Sequence, residues 1–465
     1  NRKILLTENC QFYFIIHRAG SGLKSSQYSA PILGLIFLRF AESKYSKFEQ
    51  EIIEEFNRTK GTRSEKQIHE IATIKCGFYL PDNARYGRLL NLPEEENLAL
   101  KIKEAMIEIE KYSPDLAGVL PKDEYYAINS SEDKSLLKKL LKNFKDIPDN
   151  ISIDIFGEIY EYFLGEFALS EGQGGGEFFT PSSVVRYMVE VLAPIEGKIL
   201  DPACGSGGMF VQTAHYIARH REKHGEDSDI NLRAYGVEKT GETVKLAKMN
   251  LALNNIRGEI IEANSYYSDP HDSFESFDYV MANPPFNVDE VELDLVKNQR
   301  RFNEYGVPQN KSKTTKKDGD KTDKVPNANY LWINQFATAL KPNGRAALVM
   351  ANSASDAGNS EQEIRIKLIE SGIISQMVAL PTNMFNTVTL PATLWFFNNE
   401  KANKNEILFI DARNIFTIID RAHRKFSDEQ IRNLAIITRL YEGKNEEFIS
   451  LVNEYKKNMM ESNDK

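Results

Sequence analysis

The sequence has little cysteine, no long apolar run and no excess of positive charge. Its 465 residues include three cysteines, Cys10, Cys76 and Cys204, far apart and with no CxxC pair. That spacing excludes a disulfide framework and a cysteine-based zinc site, and no other metal-ligand cluster is expected; it fits a reducing compartment. The longest apolar stretch, Pro31 to Leu38, is far short of the roughly 20 residues a membrane-spanning helix needs. The first apolar residues are interrupted by Thr7, Glu8 and Asn9, unlike a signal peptide. Lys and Arg number 58 against 67 Asp and Glu, a net charge of -9, which excludes a protein that coats nucleic acid through a global positive field. No GxxxxGKS or GxxxxGKT loop occurs, so ATP-driven work has no site here.

The acidity is uneven. Residues 1–150 hold 23 basic and 22 acidic side chains, residues 151–400 hold 23 and 34, and residues 401–465 hold 12 and 11. The acidic middle is also where the pattern of elements changes. Before it, Ile32 to Phe40 predicts a buried helix, and Glu49–Lys60, Ala99–Lys111 and Leu136–Phe144 predict amphipathic surface helices. Ile151–Leu169 reads as helical, followed by the glycine-rich turn Glu171 to Glu177. Thr180 suits a helix N-cap, with Pro181 as first helical residue and a helix through Leu192. Strands are then expected at Lys198–Asp201, Arg233–Val237, Glu259–Ala263, Phe277–Ala282, Arg345–Ala351, Ile373–Leu380 and Thr393–Asn398. Helices are expected at Gly207–Glu222, Thr240–Asn254, Tyr330–Leu340 and Glu361–Ser371. This alternation predicts an α/β fold with a largely parallel sheet covered on both faces. Lys311 to Lys324, with six Lys, three Asp and no apolar residue, reads as a loop. Asp428–Lys457 reads as one or two polar amphipathic helices.

Four motifs carry chemistry. Asp201-Pro-Ala-Cys-Gly-Ser-Gly-Gly-Met-Phe210 joins a strand to a helix, and Gly205, Gly207 and Gly208 let the backbone turn sharply and approach a ligand. A dinucleotide fingerprint wants a third glycine where Phe210 stands, so a nucleoside without a pyrophosphate fits better. Glu238, ending Tyr235-Gly-Val-Glu238, is placed to accept from both hydroxyls of a ribose. Phe277 to Ala282 runs into Asn283-Pro284-Pro285-Phe286. There the prolines fix the backbone, the Asn283 side-chain oxygen and the Pro284 carbonyl can accept from one NH2 group, and Phe286 offers a stacking face. Glu177-Phe178-Phe179-Thr180-Pro181 lies at a helix start, whose free amides suit a carboxylate.

Together these motifs resemble an S-adenosylmethionine-dependent amino-methyltransferase. Their order resembles the gamma class of DNA adenine-N6 methyltransferases. Tyr28 to Phe40 and Ile159 to Phe167 narrow the resemblance to the modification (M) subunit of type I restriction–modification systems, across nearly the whole chain. The resemblance implies a Rossmann-like S-adenosylmethionine-dependent methyltransferase sheet at residues 151–411. A helical N-terminal domain would fill residues 1–150, and a helical C-terminal tail for subunit docking residues 412–465. It implies cofactor contacts from Glu177, Phe178, Phe179, Thr180, Pro181 and Ser182, from Gly205, Ser206, Gly207 and Gly208, and from Glu238, with Asp201 bracing the loop. Asn264, in Ala263-Asn264-Ser265, becomes the neighbour of the cofactor's adenine ring, and Asn283, Pro284, Pro285 and Phe286 match the catalytic motif. Cys204 matches a small-residue position and is not read as a nucleophile.

The implied reaction is methyl transfer from S-adenosylmethionine to N6 of an adenine flipped from duplex DNA; a glutamine amide or an RNA base is the alternative acceptor. About 65 residues follow the last expected strand, too few for a DNA-reading domain of ordinary size. The expected partners are therefore double-stranded DNA, a specificity (S) subunit, a second M subunit and a restriction (R) subunit. A bacterial or archaeal cytoplasm is the expected location. The Lys311 to Lys324 run is the candidate to close over DNA phosphates.

Overall fold

The computed structural model describes residues 25–129, 135–145, 180–224, 231–309, 323–385, 391–419 and 423–463. In chain order the longer helices are α1 (Ser25–Thr59), α2 (Ile68–Cys76), α3 (Leu98–Tyr112), α4 (Leu136–Lys145), α5 (Ser182–Leu192), α6 (Gly208–His224), α7 (Gly241–Leu253), α8 (Asn329–Thr338), α9 (Asn359–Glu370), α10 (Asp428–Tyr441) and α11 (Glu446–Asn463). The strands are β1 (Gly197–Asp201), β2 (Leu232–Glu238), β3 (Arg257–Glu262), β4 (Phe277–Ala282), β5 (Leu340–Ala351), β6 (Ile374–Ala379), β7 (Ala392–Asn398), β8 (Leu408–Asp411), β9 (Thr417–Ile418) and β10 (Arg424–Lys425). The chain divides into two compact units, residues 1–176 with 241–257, and residues 177–240 with 258–465.

The first unit is helical. Ile32–Phe40 and Glu49–Lys60, expected as two helices, lie on the single helix α1. The intervening Ala41-Glu-Ser-Lys-Tyr-Ser-Lys47 contains neither Gly nor Pro, so nothing ends the helix there. Residues 31–41 are all buried, whereas Glu51 and Glu54 in its second half face solvent and Ile52 is buried. Gln67 and Glu70 form a capping box at the start of α2, and Gly77, at φ 91°, ends it in the left-handed conformation. The core of this unit joins α1 to Ile102, Met106 and Ile109 of α3, Leu137 and Leu141 of α4, and Met249 and Leu253 of α7. Within it, Lys44 of α1 is 4% exposed and donates from Nζ to the Leu253 carbonyl at 2.9 Å.

The second unit is built on an eight-stranded sheet of order β3-β2-β1-β4-β5-β7-β6-β8. β1 runs parallel to β2 and to β4, and β4 parallel to β5. β7 lies antiparallel between β5 and β6, and β8 returns parallel to β6. The segment joining β6 to β7 has no helix among its described residues, and without a crossover helix a strand returns antiparallel to the one before it. Every residue of β7, Ala392 to Asn398, is buried, as a central strand covered on both faces requires. The seven expected strands are present, with ends shifted by a few residues at most positions. β8 and the β9–β10 hairpin were not expected: the apolar run Ile407 to Ile410 is only four residues long, too short to mark a strand by itself, and Phe409 in β8 is 70% exposed.

One correction concerns a helix end. The helix expected to begin at Pro181, with Thr180 as cap, begins at Ser182. Pro181 is its N-cap, with ψ 132° and no side-chain cap. The Pro181 carbonyl accepts instead from the amides of Val184 and Val185, at 2.9 and 3.2 Å. Asp428–Lys457 forms two helices, separated at Gly443, whose φ is 80°. α10 packs on α5, with Arg439 donating to the Glu190 carbonyl at 3.2 Å. Buried Gln376 of β6 joins them: its Nε2 donates to Tyr187 Oη at 3.0 Å, and its Oε1 accepts from Thr438 Oγ1 at 2.7 Å. The expected helix Ile151–Leu169 and the turn Glu171 to Glu177 lie outside the described residues.

Candidate active site

The sheet order reverses between β1 and β4, and ligands of open α/β sheets bind at that switch, beyond the carboxyl ends of the strands. Registers show which residues meet there. Leu200 of β1 pairs with Val280 of β4, and Asp201 pairs with Gly236 of β2. The segments beginning at Pro202, Lys239 and Asn283 therefore leave one edge of the sheet, on strands about 4.8 Å apart.

The turn after β1 is built by its glycines. Gly205 and Gly207 have φ of 51° and 84°, a region that other residues enter at a cost. Nothing lies within 4 Å of where a Cβ would stand on Gly205 or Gly208, so the turn borders open space. Ser206 is half-buried between them. Asp201 is buried, and its Oδ1 accepts from the Ala203 amide at 3.0 Å. Burial pushes the Asp201 carboxyl well up from its usual range, despite that bond. Cys204 is also buried, and burial first, then the nearby carboxylates of Asp201 and Glu238, push its thiol up. A thiol held protonated there is a poor nucleophile.

Neighbouring segments tie this turn down. Glu238 accepts through Oε2 from the Gly205 amide at 3.1 Å and through Oε1 from the Thr240 amide at 2.9 Å. The Cys204 amide donates to the Val237 carbonyl at 3.0 Å, and the Ala263 amide to the Glu238 carbonyl at 2.9 Å. Ser265 Oγ donates to the Pro202 carbonyl. Gly236 lets β2 approach: a Cβ there would sit 2.5 Å from Ile260 Cδ1 and 2.9 Å from Cys204 Sγ. Asn264 spends its Oδ1 on the Tyr266 amide, at 3.1 Å, so the group it offers a ligand is the Nδ2 donor.

After β4, both polar atoms of the Asn283 side chain are buried and have no hydrogen-bond partner among the described residues. Buried amides are almost always satisfied within the protein, and an exception asks for a ligand or a reason. Pro284 is buried, Pro285 is half-buried, and the half-buried Phe286 packs on the unit's core. Asn287, at φ 57°, turns the chain away.

Thr180, Pro181 and Ser182 stand at the start of α5, which packs on α6, the helix opened by the glycine turn. Glu177, Phe178 and Phe179 lie outside the described residues, as do residues 311–322 of the lysine-rich run; Lys324, at its end, is paired with Glu290. No cluster of His, Cys, Asp and Glu fit for a metal occurs among the described residues. Among them, also, no helix is long and apolar enough to cross a membrane. Sequence reasoning missed Gly236, Ser265 and Asn287. Gly236 could have been noticed as a glycine inside a strand pattern, a mark of close backbone approach.

A nucleoside bearing a cationic centre fits these residues, through the open glycine cradle, the Glu238 carboxylate and the Asn264 donor. The adjoining unpartnered amide suits an acceptor with an NH2 group. Sheet order and site together fit an S-adenosylmethionine-dependent methyltransferase acting on amino nitrogen.

Comparison with known proteins gives the family. The family described as N-6 DNA Methylase matches residues 151–459, and the HsdM N-terminal domain matches residues 18–144. The Type I restriction enzyme MjaIX methylase subunit of Methanocaldococcus jannaschii is 35% identical over 454 residues, covering 94% of this chain and 78% of that protein. The HindI methylase subunit of Haemophilus influenzae is 34% identical over 381 residues, covering 79% and 78%. Among solved structures, a type I restriction–modification methyltransferase subunit from Streptococcus thermophilus shares the fold, with a TM-score of 0.72 at 19% identity over 94% of this chain and 93% of that one. The chain belongs to the N-6 DNA methylase family, among the type I restriction methylase subunits. It is an adenine-specific DNA methyltransferase that uses S-adenosylmethionine.

Proposed function

We propose that the glycine turn, Glu238, Asn264 and the start of α5 hold the cofactor, and that Asn283, Pro284, Pro285 and Phe286 hold the flipped adenine. The observation that carries this reading is the buried, unpartnered amide of Asn283 at the end of β4, one strand from the glycine turn. When bound, S-adenosylmethionine supplies an electrophilic sulfonium methyl.

The remaining work belongs to the chain. Flipping an adenine costs a few kcal/mol, and stacking on Phe286 returns roughly 1–3 kcal/mol. Asn283 Oδ1 and the Pro284 carbonyl accept the two N6 hydrogens, which draws the nitrogen toward tetrahedral geometry and aims its lone pair. Fixing that orientation lowers the barrier by on the order of 7–11 kcal/mol. The Glu238 carboxylate keeps lone pairs for ribose hydroxyls beside the two backbone amides it already binds. The amides at the start of α5, preceded by Glu177, Phe178 and Phe179, receive the cofactor's carboxylate.

The partners follow the same reading. Double-stranded DNA is the substrate, a specificity subunit reads its sequence, and a second modification subunit and a restriction subunit complete the assembly. α11 is the docking helix, and it leaves Phe448 42% and Ile449 56% exposed. The test is transfer of labelled methyl groups to mixed-sequence duplex DNA, with and without the cognate specificity subunit, followed by mapping of the modified base. Label on N6 of adenine at one sequence, only with the specificity subunit, is the expected result. Label on RNA or on a glutamine amide instead would sink it.

A further inference from the structure

All ten residues of α8 are buried. Buried polar side chains are costly unless bonded; Tyr330 Oη donates to the Ala354 carbonyl beyond β5 at 2.7 Å, and other bonds of α8 run to the loops beyond β3 and β4. Trp332 Nε1 donates to Tyr266 Oη at 2.9 Å, just past Asn264. Asn334 Nδ2 donates to the carbonyls of Phe302 and Gly306, both at 2.7 Å. The first residue of the helix, Asn329, is 1% exposed and reaches Asn287, the residue after Phe286. Asn329 Oδ1 accepts from the Asn287 amide at 2.8 Å, and Asn329 Nδ2 donates to Asn287 Oδ1 at 2.9 Å. Asn287 Oδ1 also accepts from Asn327 Nδ2 at 3.1 Å, and the Ala328 amide donates to the Val288 carbonyl at 2.8 Å.

Asn287 thus holds a left-handed conformation with both its backbone amide and its side chain fixed by one buried partner. The turn that orients Asn283 and Phe286 ends at that clamp. We propose that Asn329 is a positioning residue for methyl transfer: its two-point grip on Asn287 holds the Asn283-Pro284-Pro285-Phe286 turn in the form that receives the flipped base. This rests on the reading that Asn283 binds the acceptor nitrogen. No residue of the glycine turn bonds to Asn329, so the effect falls on the acceptor side.

The two asparagines use their amides differently, which supplies the test. Asn287 accepts only through its side-chain oxygen, so Asn287→Asp keeps both of those bonds, whereas Asn287→Ala loses them at an exposed position, with a left-handed backbone cost that the melting temperature reads. Asn329→Asp loses the donor and sets a carboxylate oxygen against Asn287 Oδ1. Each variant is assayed as the full chain in complex with its specificity subunit, with the melting temperature as a folding check. A displacement on the order of 1 Å near reacting atoms costs about 100-fold. Asn287→Ala and Asn329→Asp are therefore expected to lower kcat roughly 10- to 100-fold, with KM for S-adenosylmethionine within about twofold of wild type. Asn287→Asp is expected to retain at least about half the rate. With 2-aminopurine at the target adenine, the emission of the flipped base should drop in the two impaired variants and persist in Asn287→Asp. Wild-type kcat in Asn287→Ala, or an Asn287→Asp variant as impaired as Asn287→Ala, overturns the clamp whatever the fate of Asn329→Asp. Asn283→Ala, run beside them, separates the two readings: full methylation there overturns the assignment of the acceptor site itself.

Discussion

The carboxylate of Glu238 accepts a hydrogen bond from the backbone amide of Gly205 at 3.1 Å, joining the end of β2 to the glycine turn after β1. Glu238 therefore shapes the turn as well as facing the ligand. The bond is charge-assisted, and it holds Gly205 at a φ of 51° with open space beside it.

Glu238→Gln separates these roles from simple charge. The variant keeps one oxygen, which cannot replace both the Gly205 and the Thr240 acceptors. Calorimetry is expected to show cofactor affinity lowered roughly 10- to 100-fold, consistent with the loss of one charge-assisted bond of about 1.5–3 kcal/mol. An unchanged dissociation constant would remove Glu238 from the cofactor site.

Asn283→Ala removes two atoms that have no partner inside the protein, so the fold loses little. Methyl incorporation is expected to fall by on the order of 100-fold or more, the scale for losing one preorganised polar group. Cofactor binding should stay within about twofold. Parallel loss of both activities argues against the division of the site into two halves.

Gly236→Ala tests the approach of β2 to the glycine turn. The new methyl group would stand 2.5 Å from Ile260 Cδ1 and 2.9 Å from Cys204 Sγ. Overpacking of this kind costs about 1–3 kcal/mol. A lower denaturation midpoint together with weaker cofactor binding is expected, because the displaced neighbour is part of the turn. A midpoint equal to wild type would show that the strand has room to spare.

Lys44 makes the helical unit sensitive to alkaline pH. Burial lowers its ammonium to about 8, although the Cys76 thiol nearby pulls the other way. Its folded value lies below the unfolded 10.5, so the unfolded chain binds the extra proton between those two pH values. Stability from this group accordingly rises with pH through that window and is lowest below it. The rise is at most roughly 3 kcal/mol at 1.36 kcal/mol per pH unit. Denaturant melts at pH 7.5 and 10.5 should show wild type gaining stability relative to Lys44→Met. A constant difference between the two proteins would mean that Lys44 titrates as it does in water.

Truncation distinguishes α10 from α11. α10 covers α5 through the chain Tyr187, Gln376 and Thr438 and through Arg439 and Glu190. Ending the chain at Asn445 removes α11 alone, and should weaken assembly with the specificity subunit by size exclusion while cofactor affinity holds. Ending it at Ser427 should lower cofactor affinity and stability as well. Intact assembly without α11 would refute its docking role.

Much of this protein is legible along the chain, and the reasons are local. Phe277 to Ala282 reads as a buried strand because it is apolar apart from Asp278, which is half-buried and pairs with Lys341, and it is β4 without adjustment. The glycines before Met209 announce a turn because few residues adopt positive φ. The order of the four motifs carried the family resemblance, since each is a short contiguous string. β8 was not legible, because its apolar run, Ile407 to Ile410, is only four residues long. The start of α5 was misplaced by one residue because the ψ of Pro181, not its identity, decides where the helix begins.

The sequence by itself determined the chemistry available, namely which strand ends carry a carboxylate, an amide, an aromatic ring and a glycine turn. Only the tertiary structure decided which of them act together. Glu238 meets Gly205 because β1 and β2 are neighbours in register; Asn329 meets Asn287 across 42 residues because α8 is buried against the loop after β4. Hydrogen bonds between residues distant in sequence depend on the path of the chain, and no local pattern encodes them. The empty valences of Asn283 belong to the same class: an asparagine before two prolines is visible in a string, but its lack of a partner exists only once everything around it has folded.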